Sequence, residues 1–313
     1  MLESFVTALN VVLPITLMLL CGAMLRRSGV IKKELISSVN KLVFRLFLPA
    51  ALFHTCYTSE LKIDGNMKMV FFCCLSIFLV FLLYIPIIRK AEPAPSRRSV
   101  MLQGVFRGNL AMFGVPVLTL LYDKSNLGVM AILLAFMIPE LNVLAVLCFE
   151  VLSNKKAEWK IVILRIAKNP LINAIFLGLI FNCLHIGMPT FVDKTIDSLS
   201  AVATPLTFVM LGANFSFASA KRNGRALTLI LSGKLLILPL TALFLGISMG
   251  FRGPILASTI ILFGSPVAVS SVPMTEEMGG DTDLASEGVI ISTLLGVCTM
   301  FLWIFGMSYL RLL

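Results

Sequence analysis

Two short stretches of this chain place polar and helix-breaking residues where the flanking sequence is apolar enough for a bilayer. The first runs from Gly104 to Tyr122 and holds Arg107 and Asn109, then Gly114, Pro116 and Val117. The second holds Gly264, Ser265, Pro266 and Val267, and its Phe263-Gly264-Ser265-Pro266 repeats Phe113-Gly114-Val115-Pro116 at an offset of 150 residues. A proline has no N–H, so the carbonyl of Met112 is expected to lose its helical partner, and Val115 is pushed out of the α region by the ring that follows. The sequence therefore predicts a helix split at each Gly-x-Pro. Backbone freed at membrane depth is tolerated where protein buries it or where it lines a wet cavity, as in the broken helices of transporters.

The second halves of two such helices, beginning near Val117 and Val267, would present unpaired N–H groups and about half a positive charge each. Converging on one midplane point, they would suit an anion, most simply a carboxylate. Asn109 adds an amide donor in this reading; as an alternative it serves only as a bridge between helices. Arg107 and Glu140 are intramembrane charges at similar depth, and charges there are usually paired. Their pair is either structural or functional, with Glu140 taking up a coupling proton or helping to hold a cation. Asn142 can face the same cavity, and Ser265, Ser270 and Ser271 offer hydroxyls. Lys234, Lys41 and Arg45 are read as snorkelling toward one face and lie outside the site. The acidic run Glu276, Glu277, Asp281, Asp283 and Glu287 reads as a solvated loop, or else a gate or cation vestibule, and His54 as a boundary residue.

Composition says what must position these residues. Only 13% of residues are charged, 58% are hydrophobic and mean hydropathy is +0.98, values of an all-α integral membrane protein. The formal charge of +10 falls in short clusters between apolar runs, the pattern that orients membrane proteins and not a nucleic-acid footprint. Seven scattered cysteines show no ligand spacing with His54 and His185, so free thiols, no metal and no disulfide framework are expected. The first apolar run follows Met1-Leu2-Glu3-Ser4 without a basic n-region or small-residue cleavage site, and is expected to be a retained span with no signal peptide or organelle address.

A span needs about 20 mostly apolar residues. The sequence offers ten, near 5–25, 35–56, 67–88, 98–122, 126–152, 166–185, 195–217, 225–249, 253–275 and 285–310. Pro14, Gly22 and Pro49 recur as Pro170, Gly178 and Pro205, all at an offset of 156. Five spans per half is odd, so the second half would enter the membrane upside down: an inverted repeat of residues 1–152 and 166–313 joined by a linker, 153–165. Sixteen Lys and Arg flank the span ends on one side and six on the other, which by the positive-inside rule puts both termini outside the cell.

At Asn109-x6-Pro116 with Gly114, at Thr275-Glu276-Glu277-Met278-Gly279-Gly280-Asp281 and at Pro49 the sequence resembles the auxin efflux carrier family, which includes plant PIN carriers and bacterial malate or malonate permeases. The likeness extends over essentially the whole chain. It implies the fold of PIN carriers and bile-acid symporters: a 5+5 inverted repeat, a scaffold of spans 1, 2, 6 and 7, and a transport domain of spans 3–5 and 8–10 with crossing helices 4 and 9. It also implies that Asn109, Pro116 and Pro266 surround a substrate carboxylate, and that transport follows an elevator-like movement. Plant members carry a glutamine where this chain has Val267, and Pro273 adds a second proline, which argues against auxin itself.

The reading is a secondary transporter of a small mono- or dicarboxylate in the cell membrane. No Walker-type loop is present, so the expected drive is a proton or sodium gradient, or the gradient of the anion, with no cofactor. The sequence leaves open a homodimer. The rival is a channel or sensor in which the broken helices gate or bind without carrying. An intramembrane enzyme is disfavoured, since no nucleophile–base pair stands at shared depth.

Overall fold

The computed structural model describes residues 2–59, 67–122, 127–152, 164 and 166–313. The linker 153–165 expected between the halves, with Lys155, Lys156, Lys160 and Arg165, lies apart from Leu164 outside the described residues, as do Lys62 and Lys124. Among the described residues the regular elements are all helices. In order come α1 (Leu2–Arg27), α2 (Lys33–Tyr57), α3 (Met67–Ala91), α4 (Pro95–Phe106), α5 (Leu110–Leu121) and α6 (Leu127–Leu152). After these follow α7 (Pro170–Cys183), α8 (Thr190–Asn214), α9 (Phe217–Arg222), α10 (Gly224–Ser248), α11 (Gly253–Gly264), α12 (Ser271–Glu277) and α13 (Thr282–Tyr309).

Among the described residues, α2, α3, α6, α8, α10 and α13 are long and apolar enough to cross a bilayer. Their large apolar side chains point outward as well as inward: Phe71, Phe78 and Leu83 on α3, Phe244 on α10 and Phe305 on α13 are all exposed. Water would not tolerate such a belt, whereas lipid tails do.

Two of the long helices widen into a π turn just before a proline, at Val43–Phe47 ahead of Pro49 and at Gly233–Ile237 ahead of Pro239. The wider turn makes room for the ring, which would otherwise meet the carbonyl four residues back. In α10 that carbonyl belongs to Leu235, and it accepts instead from Trp303 Nε1 on α13 at 3.0 Å. The helix thus keeps the proline, and a neighbouring indole replaces the missing N–H.

One group of helices packs through glycine against backbone. A Cβ built on Gly22 of α1 would overlap the carbonyl oxygen of Val209 on α8, and one on Gly212 of α8 would overlap that of Leu19. A Cβ on Gly178 of α7 would come within 2.6 Å of the Phe53 carbonyl oxygen on α2. The pair Gly22–Val209 becomes Gly178–Phe53 when 156 residues are added to Gly22 and taken from Val209. Small residues let membrane helices approach this closely, where dispersion and not water exclusion holds them.

The short helices α4 and α11 are alike. Each has twelve residues, each starts with a proline at its first or second position, and the second half of each is wholly buried. Their last apolar rings dock edge-on against α3: Phe106 on Phe81 at 5.8 Å between centroids, Phe263 on Phe72 at 6.5 Å. A helix that ends inside the bilayer must end inside protein.

The first break falls elsewhere than the prolines indicate. Pro116 sits within an unbroken α5, and the fourth apolar segment opens at Arg107–Asn109, between α4 and α5. The ring costs α5 one backbone bond, which a helix survives. At Arg107–Asn109 the backbone leaves the helix where the non-helical segment 266–268 receives its bonds. The Phe113–Pro116 and Phe263–Pro266 motifs consequently do not occupy equivalent places.

Candidate functional site

The two breaks meet. Gly108 and Val267 form an isolated antiparallel β-bridge, with Asn109 N–H donating to the Pro266 carbonyl at 2.7 Å and Ala268 N–H to the Arg107 carbonyl at 3.2 Å. Each broken segment satisfies the other's backbone, which is how two non-helical stretches can persist at membrane depth. Space favours glycine at 108: a Cβ there would overlap Ser265 Oγ, stand 2.8 Å from Lys234 Nζ and lie 3.2 Å from the Leu262 carbonyl oxygen, so both side chains would have to move aside.

Arg107 extends from this bridge into the protein and is 2% exposed. Its guanidinium donates to Gln103 Oε1 at 2.8 Å, Asn142 Oδ1 at 2.6 Å and Ser270 Oγ at 3.0 Å, and lies 3.1 Å from Met274 Sδ. The expected pair with Glu140 does not form. Glu140 and Asn142 are two positions apart on α6, roughly 200° around the helix, so only one can face the guanidinium, and that one is Asn142. Glu140 Oε2 is buried without a hydrogen-bond partner.

Asn109 is less enclosed than Arg107. It precedes α5 with no side-chain cap, its amide nitrogen has a methionine sulfur, Met112 Sδ at 3.6 Å, as neighbour, and it is partly exposed. Met112 and Pro116, three and seven positions on, are also partly exposed, while Phe113, Gly114 and Val117 are buried. The accessible stripe of α5 is therefore Asn109–Met112–Pro116, spaced as one helix face.

Four expected residues stand differently. Val117 is inside α5, so the helix start lies at Leu110. Gly114 packs beside Met130, and Gly264 beside Pro239 and Trp303. Val267 begins no helix: α12 starts at Ser271, and the Val267 N–H donates to Ser292 Oγ at 3.0 Å. The first N–H groups of α12 are also engaged, Ser271 with the Ala268 carbonyl and Val272 with that of Val269. The α12 end of the crossing therefore lacks the open helix start that the sequence predicts for both sides. Ser265 is fully buried, its hydroxyl donating to the Leu262 carbonyl at 3.1 Å.

Lys234 does not snorkel, as the sequence leads one to expect, but is wholly buried, its ammonium at the bridge and donating to the Leu262 carbonyl at 3.4 Å. The signal was its place, eleventh in the 25-residue span Gly224–Ser248 and therefore nearly central. Gly108 carried a signal too, as a glycine between the segment's two polar residues.

The acidic run is a bonded cluster and not a solvated loop. Glu276 accepts from Ser37 Oγ at 2.7 Å and Thr282 Oγ1 at 2.8 Å, and Glu277 pairs with Arg45. Asp281 caps α13 through the Leu284 N–H at 3.0 Å and lies 3.7 Å from Arg97, while Glu287 accepts from Asn223 at 2.7 Å. Ser37 and Arg45 belong to α2, so this cluster ties α12 to the glycine-packed group.

Comparison with known proteins gives the same direction. The family model described as membrane transport protein matches residues 7–304. An "Uncharacterized transporter" of Methanothermobacter thermautotrophicus is 25% identical over 307 residues, covering 96% of this chain and 98% of that protein. A "Putative malonate transporter" of Rhizobium meliloti is 29% identical over 138 residues, 44% of this chain and 43% of that one. A "Lysosomal cholesterol signaling protein" of Mus musculus is 22% identical over 310 residues, 90% of this chain and 35% of that one.

Proposed function

Starting from the chain's membership of the membrane transport protein family, we propose that it is a secondary carrier of a small carboxylate, with its site at the bridged crossing of α4–α5 and α11–α12. The observation that carries this is the Gly108–Val267 bridge, which sets the partly exposed Asn109, at the start of α5, beside a buried guanidinium. Asn109 and the first N–H groups of α5 hold the carboxylate, and Met112 and Pro116 line the path to it. The name of the partly matching malonate transporter favours a dicarboxylate.

The wider architecture in this reading is a ten-span 5+5 inverted repeat of residues 1–152 and 166–313. The Gly22–Val209 and Gly178–Phe53 contacts support it, since a two-fold axis in the membrane plane exchanges one for the other. So do the matching half-helices α4 and α11. The glycine-packed α1, α2, α7 and α8 form a scaffold, past which the crossing moves in an elevator-like step. Contacts of Ser37 and Arg45 with Glu276 and Glu277 close one end. Glu140, with its unpartnered buried oxygen, takes up the coupling proton. The protein sits in the cell membrane with both termini outside.

A sensor is the second reading, favoured by the signaling protein that matches 90% of this chain. Uptake and counterflow of labelled carboxylates in proteoliposomes decide between them. Saturable exchange that is lost in Asn109→Ala supports the carrier. Ligand binding by folded protein with no flux under any gradient supports the sensor.

A further inference from the structure

Two cations are buried at the crossing, and among the described residues neither is matched by a carboxylate. Arg107 spends its guanidinium on an amide oxygen of Gln103, another of Asn142, the Ser270 hydroxyl and a thioether. Lys234 is 0% exposed, and among the described residues its ammonium has one hydrogen bond, to Leu262 O at 3.4 Å. Among the described residues, the ion pairs are made by Arg45, His54 and Arg97, all elsewhere. A lysine kept in the bilayer core without a counter-ion is costly, and such residues usually mark a substrate or ion path.

The geometry puts these cations on either side of one extended stretch. Residues 107–109 pair with 266–268 as a strand does, and successive side chains of a strand point to opposite faces. Arg107 leaves on one face, and the Cβ direction of Gly108 leads on the other to Lys234 Nζ. The absence of a side chain at Gly108 is what lets the ammonium come up to the backbone of the bridge. Lys234 also sits at the C-terminal turn of α11, where the helix dipole favours a positive charge.

We propose that Lys234 is the second cation of the substrate site and sets its charge selectivity, so that the crossing takes a dianion in preference to a monoanion of the same shape. This rests on the carboxylate reading above. A monoanion arriving here leaves one buried positive charge unmatched, and a dianion leaves none. The lysine acts through the field at the crossing and not as a clamp on one carboxylate. In a water-poor interior that field reaches several ångströms with little screening, and an anion at the crossing itself favours the charged amine.

The test compares pairs of ligands that differ in charge and little in form: malonate, malate and succinate, each against its monomethyl ester. Binding is read by calorimetry on purified protein in nanodiscs, for wild type, Lys234→Met and Lys234→Arg. Wild type is expected to prefer at least one diacid by about tenfold over its ester, as one unmatched charge predicts. Lys234→Met should level that preference, and Lys234→Arg should keep it. Methionine keeps the unbranched stem of lysine and lacks only its terminal ammonium, so it removes a buried charge whose desolvation is costly.

The proposal is overturned if folded Lys234→Met, eluting as a single species, keeps the wild-type preference. It is also overturned if wild type binds diacid and ester equally, a result that needs no variant. Wild type that binds no carboxylate of either kind removes the carboxylate reading and the proposal with it. Carboxylate binding with an unchanged preference in Lys234→Met removes only the role given to the lysine.

Discussion

Arg107 Nη2 donates to Asn142 Oδ1 across 2.6 Å in the interior, joining the first break to α6. Truncating the acceptor leaves a buried guanidinium one partner short. Asn142→Leu should cost about 2 kcal/mol, within the range for a hydrogen bond to a charged group. A fall in melting temperature of detergent-solubilised protein checks this, and Asn142→Asp, which keeps an acceptor, should lose less.

Gly108 and Gly114 make a contrasting pair. A methyl at 108 meets Ser265 Oγ and Lys234 Nζ in a packed bridge, whereas one at 114 meets the flexible end of Met130 at 3.0 Å. Gly108→Ala should destabilise by about 1–3 kcal/mol, the usual cost of overpacking, and abolish uptake. Gly114→Ala should fold and transport near the wild-type level. The opposite order would return the break to Pro116.

Trp303 and Pro239 are expected to be coupled. Trp303→Phe removes the donor to the Leu235 carbonyl and should cost about 1–3 kcal/mol, the penalty for an orphaned buried acceptor. Pro239→Ala restores an N–H four residues on from Leu235. The double variant should therefore be more stable than the sum of the single losses implies, and a double-mutant cycle on thermal unfolding measures the difference.

Glu140→Gln is expected to separate binding from drive. Counterflow, which needs no proton gradient, should persist at a rate within a few fold of wild type. Uptake driven by a pH gradient should fall to the level without one. Equal loss in both assays would assign Glu140 to ligand binding or to folding instead of coupling.

Arg45 is largely exposed, so its pair with Glu277 should contribute under about 1 kcal/mol to stability. Its expected effect is on rate. Glu277→Arg should slow uptake with little change in melting temperature, and Arg45→Glu in the same chain should restore part of the rate, as proteoliposome initial rates will show.

The membrane class and the existence of two breaks were legible because apolar length and interrupted helices leave a pattern in composition alone. Arg107, Asn109, Asn142, Ser265 and Pro266 were legible as polar or helix-breaking residues in apolar surroundings. The place of the first break was not. Proline marks where a helix loses one bond, but the chain departs from the helix where a partner strand takes up its bonds, and that partner lies about 160 residues away at Val267. The central place of Lys234 is legible in the span 225–249, but the Gly108 backbone that its ammonium reaches lies more than 120 residues away in the chain, and no local pattern marks that approach. Contacts of Glu276 and Glu277 with α2 are likewise long-range, and a run of acids looks the same in sequence whether solvated or bonded.

The glycine-on-carbonyl contacts have a consequence for how such a chain could have arisen. Gly22 touches Val209 while Gly178 touches Phe53, so in the proposed inverted repeat each half would lend a glycine to the other's second span and receive one on its own. A surface with that property is self-complementary. Two unlinked copies of a half-length ancestor, inserted in opposite orientations, would have buried the same seam twice, and fusing their genes would have fixed a pairing that the membrane already favoured.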